Sequence, residues 1–235
     1  MKNLIIVTAL LLSSHLLVAQ KHEIGLFLGG SNTIADVGPT FPVNPNDFAI
    51  GAIYKWNKSP RYSFRASLKY ANIHGEDENS SEDYKKERDY SFKNAIREVS
   101  AGIEYNFWTF DLNDRPYFLS NITPYAYSGL SFFHYDALFL NGGKEMQKYN
   151  SHSTFAIPAI VGIKATISRK FIIGFEVGAR YTFTDDLDGS NPVRDKKEYE
   201  SLKFGNTKNN DWYVFTGFTL TYTFGEKPCH CPDDK

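Results

Sequence analysis

Beyond its first twenty residues, the chain repeatedly alternates apolar side chains with small or polar ones. In the segment 99–107, for example, Val, Ala, Ile, Tyr and Phe alternate with Ser, Gly, Glu and Asn. A period of two places the two sets on opposite faces of a β-strand. Eight such segments predict eight strands, at 23–29, 48–56, 62–70, 98–107, 125–133, 155–166, 173–183 and 212–224. The fifth is clearly a strand, but its phase is ambiguous.

The polar face of these strands carries charged residues at mid-strand, beside glycines. The strands of a soluble sandwich or of a lipocalin-like barrel also alternate. Their polar face, however, would be an ordinary solvent-exposed surface. Charges beside glycine instead fit a narrow lumen, where opposite charges can pair while the apolar face meets lipid. The predicted lumen charges are the cations Lys55, Arg65, Lys69, Lys164 and Arg180 and the anions Glu98, Glu104 and Glu176.

The connections between the strands also favour a membrane barrel. Those after strands two and six, 57–61 and 168–170, are short, whereas 75–94 and 185–210, after odd strands, are long and polar. Short turns at one side and long loops at the other are typical of outer-membrane barrels. Trp56, Trp108 and Trp212 fall at strand ends, where an aromatic girdle would lie. The predicted fold is an eight-stranded antiparallel transmembrane outer-membrane β-barrel with short periplasmic turns, long extracellular loops and both termini in the periplasm.

The start of the chain differs from the rest. Lys2 precedes an apolar run at 4–12, and a small residue, Ala19, ends the next apolar group. These features predict a secretory signal peptide at 1–19, and the run is too short to span a bilayer. A buried N-terminal helix is the less favoured alternative. The barrel is then expected over 20–225 and a periplasmic C-terminal tail over 226–235.

Composition and size exclude several functions. The formal net charge of −1 provides no basic field for nucleic acid. Aromatic residues make up 16% of the chain although the mean hydropathy is −0.39, which suits alternating strands better than apolar helices. Eight strands enclose an interior that side chains fill, so a wide channel is not expected. The remaining classes are a barrel enzyme, a structural or adhesive barrel, and a barrel that belongs to a larger machine.

Candidate chemistry along the chain is sparse. The five histidines after the signal peptide have no evident Ser or Asp partner at a fixed spacing: they are His22, His74, His134, His152 and His230. We therefore predict no catalytic residue and no cofactor at these positions, although the catalytic groups of a folded barrel need not be neighbours in the sequence. Residues 186–189 match a calcium loop only in part, and a solvated acidic loop is the preferred interpretation. The charged run 76–93 is interpreted as a mobile outer loop.

The tail contains the only two cysteines, Cys229 and Cys231, on either side of His230. Prolines bracket the group, which predicts an extended, exposed segment. An internal disulfide between these cysteines would close a very tight, strained ring. An exposed thiol in the oxidising periplasm could instead pair with another chain, and a metal site would need ligands from another chain. An intermolecular disulfide, a strained internal disulfide and a metal site all stay open as interpretations.

Several segments carry a resemblance to a known family. They are EIGLFLGGSN at 23–32, TFTD at 182–185, NDWY at 210–213, LTYTFG at 220–225 and KPC at 227–229. In these segments, and along most of the chain from residue 21 to 231, the sequence resembles the PorG-like outer-membrane barrels of Bacteroidota. NDWY and the cysteine tail are the most specific parts of the resemblance.

The resemblance implies a non-enzymatic component of the type IX secretion system. It also implies that the barrel tethers a periplasmic ring, made of a PorK-like lipoprotein and a PorN-like protein, to the outer membrane. The tail is the natural docking element, so partner binding or an intermolecular disulfide is predicted at Lys227, Cys229, His230 and Cys231. The alternatives are a free-standing structural or adhesive barrel and, second, a lipid-modifying barrel enzyme.

Overall fold

In the computed structural model, residues 21–112, 119, 121–192, 202–206 and 209–225 are described. They form a closed barrel in which every strand pairs antiparallel with its neighbours in the chain and the first strand pairs with the last. The predicted eight-stranded antiparallel barrel is therefore confirmed. The strands are β1 (Lys21–Ile34), β2 (Asp47–Asn57), β3 (Tyr62–Glu76), β4 (Ser91–Asn106), β5 (Ile122–Leu140), β6 (Met146–Thr166), β7 (Phe171–Thr182) and β8 (Trp212–Phe224).

Two short helical elements lie in the connection between β3 and β4. This connection contains a 3-10 turn, Asp77–Asn79, and one short helix, α1 (Asp83–Arg88). Within the described ranges, no helix combines the length and the apolar character needed to cross a bilayer. The predicted signal peptide, 1–19, and the predicted tail, 226–235, lie outside the described residues.

The two faces of the wall differ as the alternation predicts. Apolar side chains cover the outside, and Val161 in the middle of β6 is 64% exposed. Closure of the barrel pairs the backbone of every strand on both sides, so such a wall can stand in lipid without unpaired peptide groups. The phase of β5 is now fixed: Leu130 and Phe132 face outward, whereas Tyr125 and Phe133 are buried in the interior.

An aromatic ring in the lumen depends on a pair of glycines. Phe27 of β1 is fully buried, in the phase that the sequence pattern assigned to small and polar residues. Beside it, Gly29 of β1 lies opposite Gly217 of β8. A Cβ atom on Gly217 would come within 2.9 Å of the Phe27 ring and would overlap the Leu28 carbonyl oxygen. Glycine at this pair therefore leaves room for the ring and lets the two strands approach closely.

The barrel has two unlike ends. We call the end with the tight turns 58–61 and 167–170 the turn end, and β1 begins and β8 finishes there. The opposite end, called the loop end, carries the connections 35–46, 77–90, 141–145 and 183–211. Two connections differ from the simple short-and-long expectation. The third connection at the turn end, 107–121, is long, and the β5–β6 connection, 141–145, is short.

The short β5–β6 connection is explained by the length of its strands. β6 pairs with β7 only from Ala156 onward, so its first residues stand beyond the barrel wall as a hairpin with β5. A bulge between Ala137 and Leu138 interrupts the register of this hairpin. The polypeptide that was expected to form a loop here is instead paired in the sheet.

Substitutions on the outward face of β6 can test which part of the barrel wall is covered by lipid. Val161→Arg places a charge on the exposed apolar face near mid-strand, and we expect it to cost about 2–4 kcal/mol of the free energy of unfolding in bilayers. Gln147→Arg, on the part of the same strand that stands beyond the wall, should cost roughly nothing by the same rule. Urea unfolding in phospholipid vesicles, followed by heat-modifiable gel mobility, measures both. Equal costs would mean that the apolar band does not lie in lipid.

Candidate functional site

The structure gathers all eight predicted lumen charges inside the barrel, where each is at most 4% exposed. Glu104 of β4 lies at the centre of one group. Its carboxylate accepts hydrogen bonds from Lys55 Nζ at 2.8 Å, Lys164 Nζ at 2.6 Å and Arg65 Nη1 at 3.3 Å. One carboxylate thus joins strands β2, β3, β4 and β6 across the lumen.

Glu176 of β7 forms the centre of a second group. Arg65 donates to both carboxylate oxygens, at 2.8 and 2.9 Å, and Lys69 Nζ donates at 3.0 Å. The Tyr125 hydroxyl donates a further bond at 2.7 Å. A bidentate guanidinium with two added donors satisfies a buried carboxylate well, which offsets the cost of removing it from water. Because Arg65 also contacts Glu104, the two groups are one network.

Glu98 and Arg180 form a separate buried ion pair, nearer the loop end. Arg180 Nε donates to Glu98 at 3.0 Å, and the Tyr213 hydroxyl donates to the same carboxylate oxygen at 2.7 Å. The Arg180 guanidinium also lies 4.3 Å from the centre of the Phe215 ring. Similarly, Lys69 Nζ lies 4.0 Å from the centre of the Phe27 ring. Buried cations here use aromatic faces as well as carboxylates.

Two kinds of lumen residue were not predicted from the sequence. Glu23 of β1 is a buried carboxylate that accepts hydrogen bonds from Thr221 Oγ1 at 2.8 Å and Asn57 Nδ2 at 2.9 Å. Its phase matches that of Gly25 and Gly29, so the alternation contained the signal. Lumen aromatics such as Tyr213 and Phe27 were also not predicted, because aromatic residues were expected to face lipid, although Phe27 shares the phase of Glu23.

The interior is closed at both ends. At the turn end, Phe110 in the described first part of the connection 107–121 is buried, and its ring centre lies 4.8 Å from Lys164 Nζ. At the loop end, Leu187 is fully buried in the apolar cluster that also contains Val37, Phe92 and Met146. A lumen filled by paired charges and covered by apolar side chains at each end gives no open passage through the described barrel.

The connection between β3 and β4 is folded, which corrects the expectation of a mobile charged loop at 76–93. Asp77 is fully buried and accepts hydrogen bonds from the Gly38 amide at 2.8 Å, Arg88 Nε at 2.7 Å and the Tyr90 amide at 3.1 Å. The buried Lys85 donates to the Gly38 carbonyl oxygen at 3.0 Å. The charges of this segment are used to attach α1 to the β1–β2 loop, so composition alone was misleading.

The acidic segment 186–189 is also not solvated, contrary to expectation. Asp188 is fully buried and accepts hydrogen bonds from the Val37 and Ser190 amides, both at 2.9 Å. The buried Asp211 accepts one from the Leu187 amide at 2.9 Å. These carboxylates act as acceptors for loop backbone. In the part of the chain that the structure describes, no three His, Cys, Asp or Glu side chains are grouped to hold a metal ion.

Burial alters the protonation of these loop carboxyls. Burial, with a smaller contribution from Asp188, raises the pKa of Asp185 to about 7. Burial likewise raises the pKa of Asp188, and burial together with the charge of Asp188 raises the pKa of Asp211. A carboxyl whose pKa is raised on folding holds a proton that the unfolded chain releases. The loop end is therefore a structure whose stability depends on pH.

The histidines lie in separate places. His22 Nδ1 is 2.8 Å from the Tyr54 hydroxyl at the turn end. His74 Nδ1 is 2.6 Å from Asp47 between β2 and β3, and His134 Nδ1 is 3.0 Å from Ser153 Oγ between β5 and β6. The last two pairs belong to different strand pairs on the barrel wall. His152 packs edge-to-face against Tyr135 and Tyr149, and His230 lies outside the described residues.

The predicted tail site also lies outside the described residues; it consists of Lys227, Cys229, His230 and Cys231. The structure does show at which end of the barrel the last strand finishes. β8 ends at Phe224, paired with His22 at the turn end. The two tight turns of that end expose four cationic side chains, and the same two turns contain no acidic residue. The four cations are Lys58, Arg61, Arg169 and Lys170.

Three of these four cations contact aromatic residues or backbone at the outer aromatic belt. Lys58 Nζ lies 5.7 Å from the centre of the Trp56 ring, and Lys170 Nζ donates to the Tyr222 hydroxyl at 3.2 Å. Arg61 donates to the Phe107 carbonyl oxygen. The two tight turns thus make part of the turn-end rim basic, and the third connection adds the exposed Asp111.

Residues 2–233 match the family described as "Domain of unknown function (DUF6089)". The chain belongs to the DUF6089 family. No curated protein matches it in sequence.

Solved barrels resemble this DUF6089 chain in fold. Ail, the attachment invasion locus protein of Yersinia pestis, is 10% identical with a TM-score of 0.48, over 88% of this chain and 100% of Ail. A major outer membrane protein of Thermus thermophilus is 11% identical with a TM-score of 0.46, over 88% and 100%. OprG of Pseudomonas aeruginosa is 7% identical with a TM-score of 0.44, over 88% and 97%. At these values the likeness carries no functional argument.

The lumen network of this DUF6089 protein predicts unequal costs for charge removal. Glu104→Gln leaves Lys55 and Lys164 buried without their shared carboxylate, so we expect it to cost roughly 3–5 kcal/mol of the free energy of unfolding. Lys144→Met breaks the exposed pair with Asp89 and should cost about 0–1 kcal/mol. Reversible urea unfolding in vesicles compares the two. A near-neutral Glu104→Gln variant would show that the network does not hold the barrel together.

The raised carboxyl pKa values predict the direction of pH dependence at the loop end. Because the folded loops bind more protons than the unfolded loops between about pH 4 and 7, their stability should fall as the pH rises through that window. Amide hydrogen exchange in 183–192, corrected for intrinsic rates, should be slower at acidic than at alkaline pH. Asp185→Asn should weaken this dependence, whereas the exposed Asp83→Asn should leave it unchanged. Faster corrected exchange at acidic pH would contradict the assignment.

Proposed function

We propose that this protein is a non-enzymatic outer-membrane barrel that belongs to the type IX secretion system. In this role it fixes the periplasmic ring of PorK-like and PorN-like proteins to the outer membrane. The PorG-like character of 23–32, 210–213 and the cysteine tail motivates the partner, and the turn end described above provides a surface for the attachment. The proposal assigns the loop end to the outside of the cell and the turn end to the periplasm.

The wall supports the membrane location. A closed barrel with an apolar exterior and a charged interior is stable in lipid. Its apolar outer side chains need no contact with water, and its backbone groups are hydrogen-bonded within the barrel. In water the same outer face would expose a continuous apolar surface of a size that soluble monomers rarely carry. Aromatic residues lie near both ends of this band, with Trp56 and Trp108 at the turn end and Trp212 at the loop end.

The closed lumen supports a role in attachment. A passage for protein or solute would have to break the Glu104 and Glu176 groups and displace Phe110 and Leu187. Buried charges that each have several partners are costly to separate, so such opening is unfavourable. A rigid barrel of this kind is suited to hold another protein at the membrane surface.

The observation that carries the proposal is the basic turn end from which the chain departs toward its tail. Lys58, Arg61, Arg169 and Lys170 surround the side of the barrel on which β8 ends. A partner with an acidic surface could meet these charges while the tail, 226–235, reaches it. Charges at a rim guide association and orient the partner more than they add affinity. Tail and rim together form a docking surface for a ring protein.

The tail cysteines provide the decisive experiment. A variant truncated after residue 225 should insert and show normal heat-modifiable mobility, because the barrel closes through β1 and β8 without the tail. It should lose co-purification with the ring proteins from mildly solubilised membranes. Cys229→Ser with Cys231→Ser should weaken the same association and abolish a larger thiol-sensitive species on non-reducing gels. Loss of association on chelation, without an effect of reductant, would instead indicate a metal site.

The matched controls test orientation and the rival functions. A cysteine at the exposed Ser81 should react with an impermeant maleimide on intact cells, whereas one at Ser59 should react only after the outer membrane is opened. Both are made in the background that lacks the tail cysteines. Full ring association and secretion without the tail would overturn the proposal and favour a free-standing structural or adhesive barrel. An altered lipid profile in a deletion strain would favour the lipid-modifying alternative.

A further inference from the structure

A cleft on the outer side of the loop end is not used by the proposed attachment. It lies where the ends of β7, β8 and β1 meet the overhanging β1–β2 loop and α1, and its volume is about 490 Å³. Clefts of roughly 300–1,000 Å³ are the size in which proteins bind small molecules. We call it the loop-end cleft, lined by Asp36, Glu82, Tyr84, Tyr181, Asn210 and Trp212 among others.

Three aromatic side chains form one part of its surface. Tyr181 and Trp212 face each other across the β7–β8 pair with ring centres 5.1 Å apart, in an edge-to-face arrangement. Tyr84 of α1 contributes a third ring to the lining and is 62% exposed. An exposed aromatic on a short surface helix contributes little to folding. Flat rings with polar tips offer apolar faces and hydrogen bonds at the same place.

The rest of the lining is made of amide, hydroxyl and carboxylate groups. One Asp36 carboxylate oxygen accepts a hydrogen bond from the Asn206 amide at 2.9 Å. Asn210 Nδ2 donates to the Tyr181 hydroxyl at 3.1 Å, which fixes the orientation of that amide. Asn209 also lines the cleft and is exposed. These are donors and acceptors of the kind that recognise hydroxyl groups.

A glycine brings the β7–β8 loop against this surface. Gly205 has φ +77, in the left-handed region that other residues rarely adopt, and a Cβ atom there would overlap the Asp36 carboxylate. The loop can therefore lie directly on Asp36 only because residue 205 lacks a side chain. The cleft is built by tertiary contacts between three connections and is not a gap at a loop tip.

The charges of the residues that line the cleft indicate which class of ligand it can bind. Asp36 and Glu82 are acidic, and the one cation that lines the cleft among the described residues, Lys85, is buried and donates to the Gly38 carbonyl oxygen. Among the described lining residues, an anionic ligand such as a phosphate or a sulfated sugar would meet these carboxylates and no cation that is free of a protein partner. Aromatic faces, amides and carboxylates together fit a neutral sugar, which has apolar C–H faces and hydroxyl edges.

We infer that the loop-end cleft binds a neutral sugar. Tyr84, Tyr181 and Trp212 contact its C–H faces, and Asp36, Asn209 and Asn210 bind its hydroxyls. Because Tyr181 is the penultimate residue of β7 and Trp212 is the first of β8, both on the outer side of the wall, the cleft lies just above the apolar band. The sugar can therefore be part of a lipid head group or of a free saccharide, and the inference does not depend on the ring partner.

Trp212 itself can report binding. The chain has three tryptophans, and Trp56→Phe with Trp108→Phe leaves Trp212 as the only one. This variant, folded in lauryldimethylamine oxide micelles that contain no sugar, is titrated with maltose, lactose and N,N′-diacetylchitobiose. A saturable shift of Trp212 emission with at least one of them is expected. In a second arm, dodecyl maltoside supplies the same sugar on an acyl chain, and dodecylphosphocholine is its control without sugar.

Variants separate recognition from general perturbation. Tyr84→Ala should raise the half-saturating concentration by about tenfold, the effect of losing one good aromatic contact. Asn209→Ala should raise it as well. Tyr62→Ala, an exposed aromatic at the turn end, should leave it unchanged, and heat-modifiable mobility checks that all three are folded.

The outcomes assign the source or overturn the inference. Saturation by a free saccharide means that the sugar itself suffices, whereas saturation by dodecyl maltoside alone, with no response to dodecylphosphocholine, means that the ligand is a lipid head group. An equal response to both detergents with none to the free sugars would overturn the inference. No response to any probe, or an unchanged affinity in both cleft variants, would overturn it too.

Discussion

Pairing of charge inside a closed wall is the interaction on which the rest of this structure depends. Removing a carboxylate or an ammonium group from water is expensive, so each buried charge needs partners within hydrogen-bonding distance. Glu104 and Glu176 meet this need by binding cations from several strands at once. Arg65 connects the two carboxylates. The network therefore ties strands together across the lumen, in addition to the backbone pairing around it.

The two ends of the barrel differ in where the charged residues of their connections lie. At the loop end, Asp77, Asp188 and Asp211 are buried and accept hydrogen bonds from loop backbone or from Arg88. At the turn end, the cations of the tight turns stay at the surface. One end is thus an ordered cap with a cleft, and the other is a basic rim from which the tail departs. These two surfaces are the places at which a sealed barrel can act.

The family description gives no function, so function has to be inferred from the chemistry of these two surfaces. The basic rim suits an acidic protein partner, and the loop-end cleft suits a neutral sugar. The two proposals use opposite ends of the barrel and share no residue. A component that held an envelope assembly on one side could therefore contact surface glycans on the other without a conformational change in the wall.

The sequence by itself determined the barrel. A period of two fixes which side chains face lipid, so the eight strands and the positions of Lys55, Glu104 and Arg180 could be read from it. It did not determine the phase of β5, because aromatic residues occupy both of its faces. The alternation places Phe27 on the lumen side, but it did not show that a ring fits there, since the Gly29–Gly217 pair that makes room for it forms only when β1 meets β8.

The structure of the loops could be predicted less well from the local sequence pattern than that of the strands. By composition, 76–93 and 186–189 are charged and polar, and such segments are usually solvated. Their burial depends on contacts between connections that are far apart in the chain, such as Asp188 with the Val37 amide. The loop-end cleft has the same origin, because it requires Gly205 to meet Asp36. Alternation along one strand is a local property, whereas the partner of a buried loop carboxylate is decided only by the closed fold.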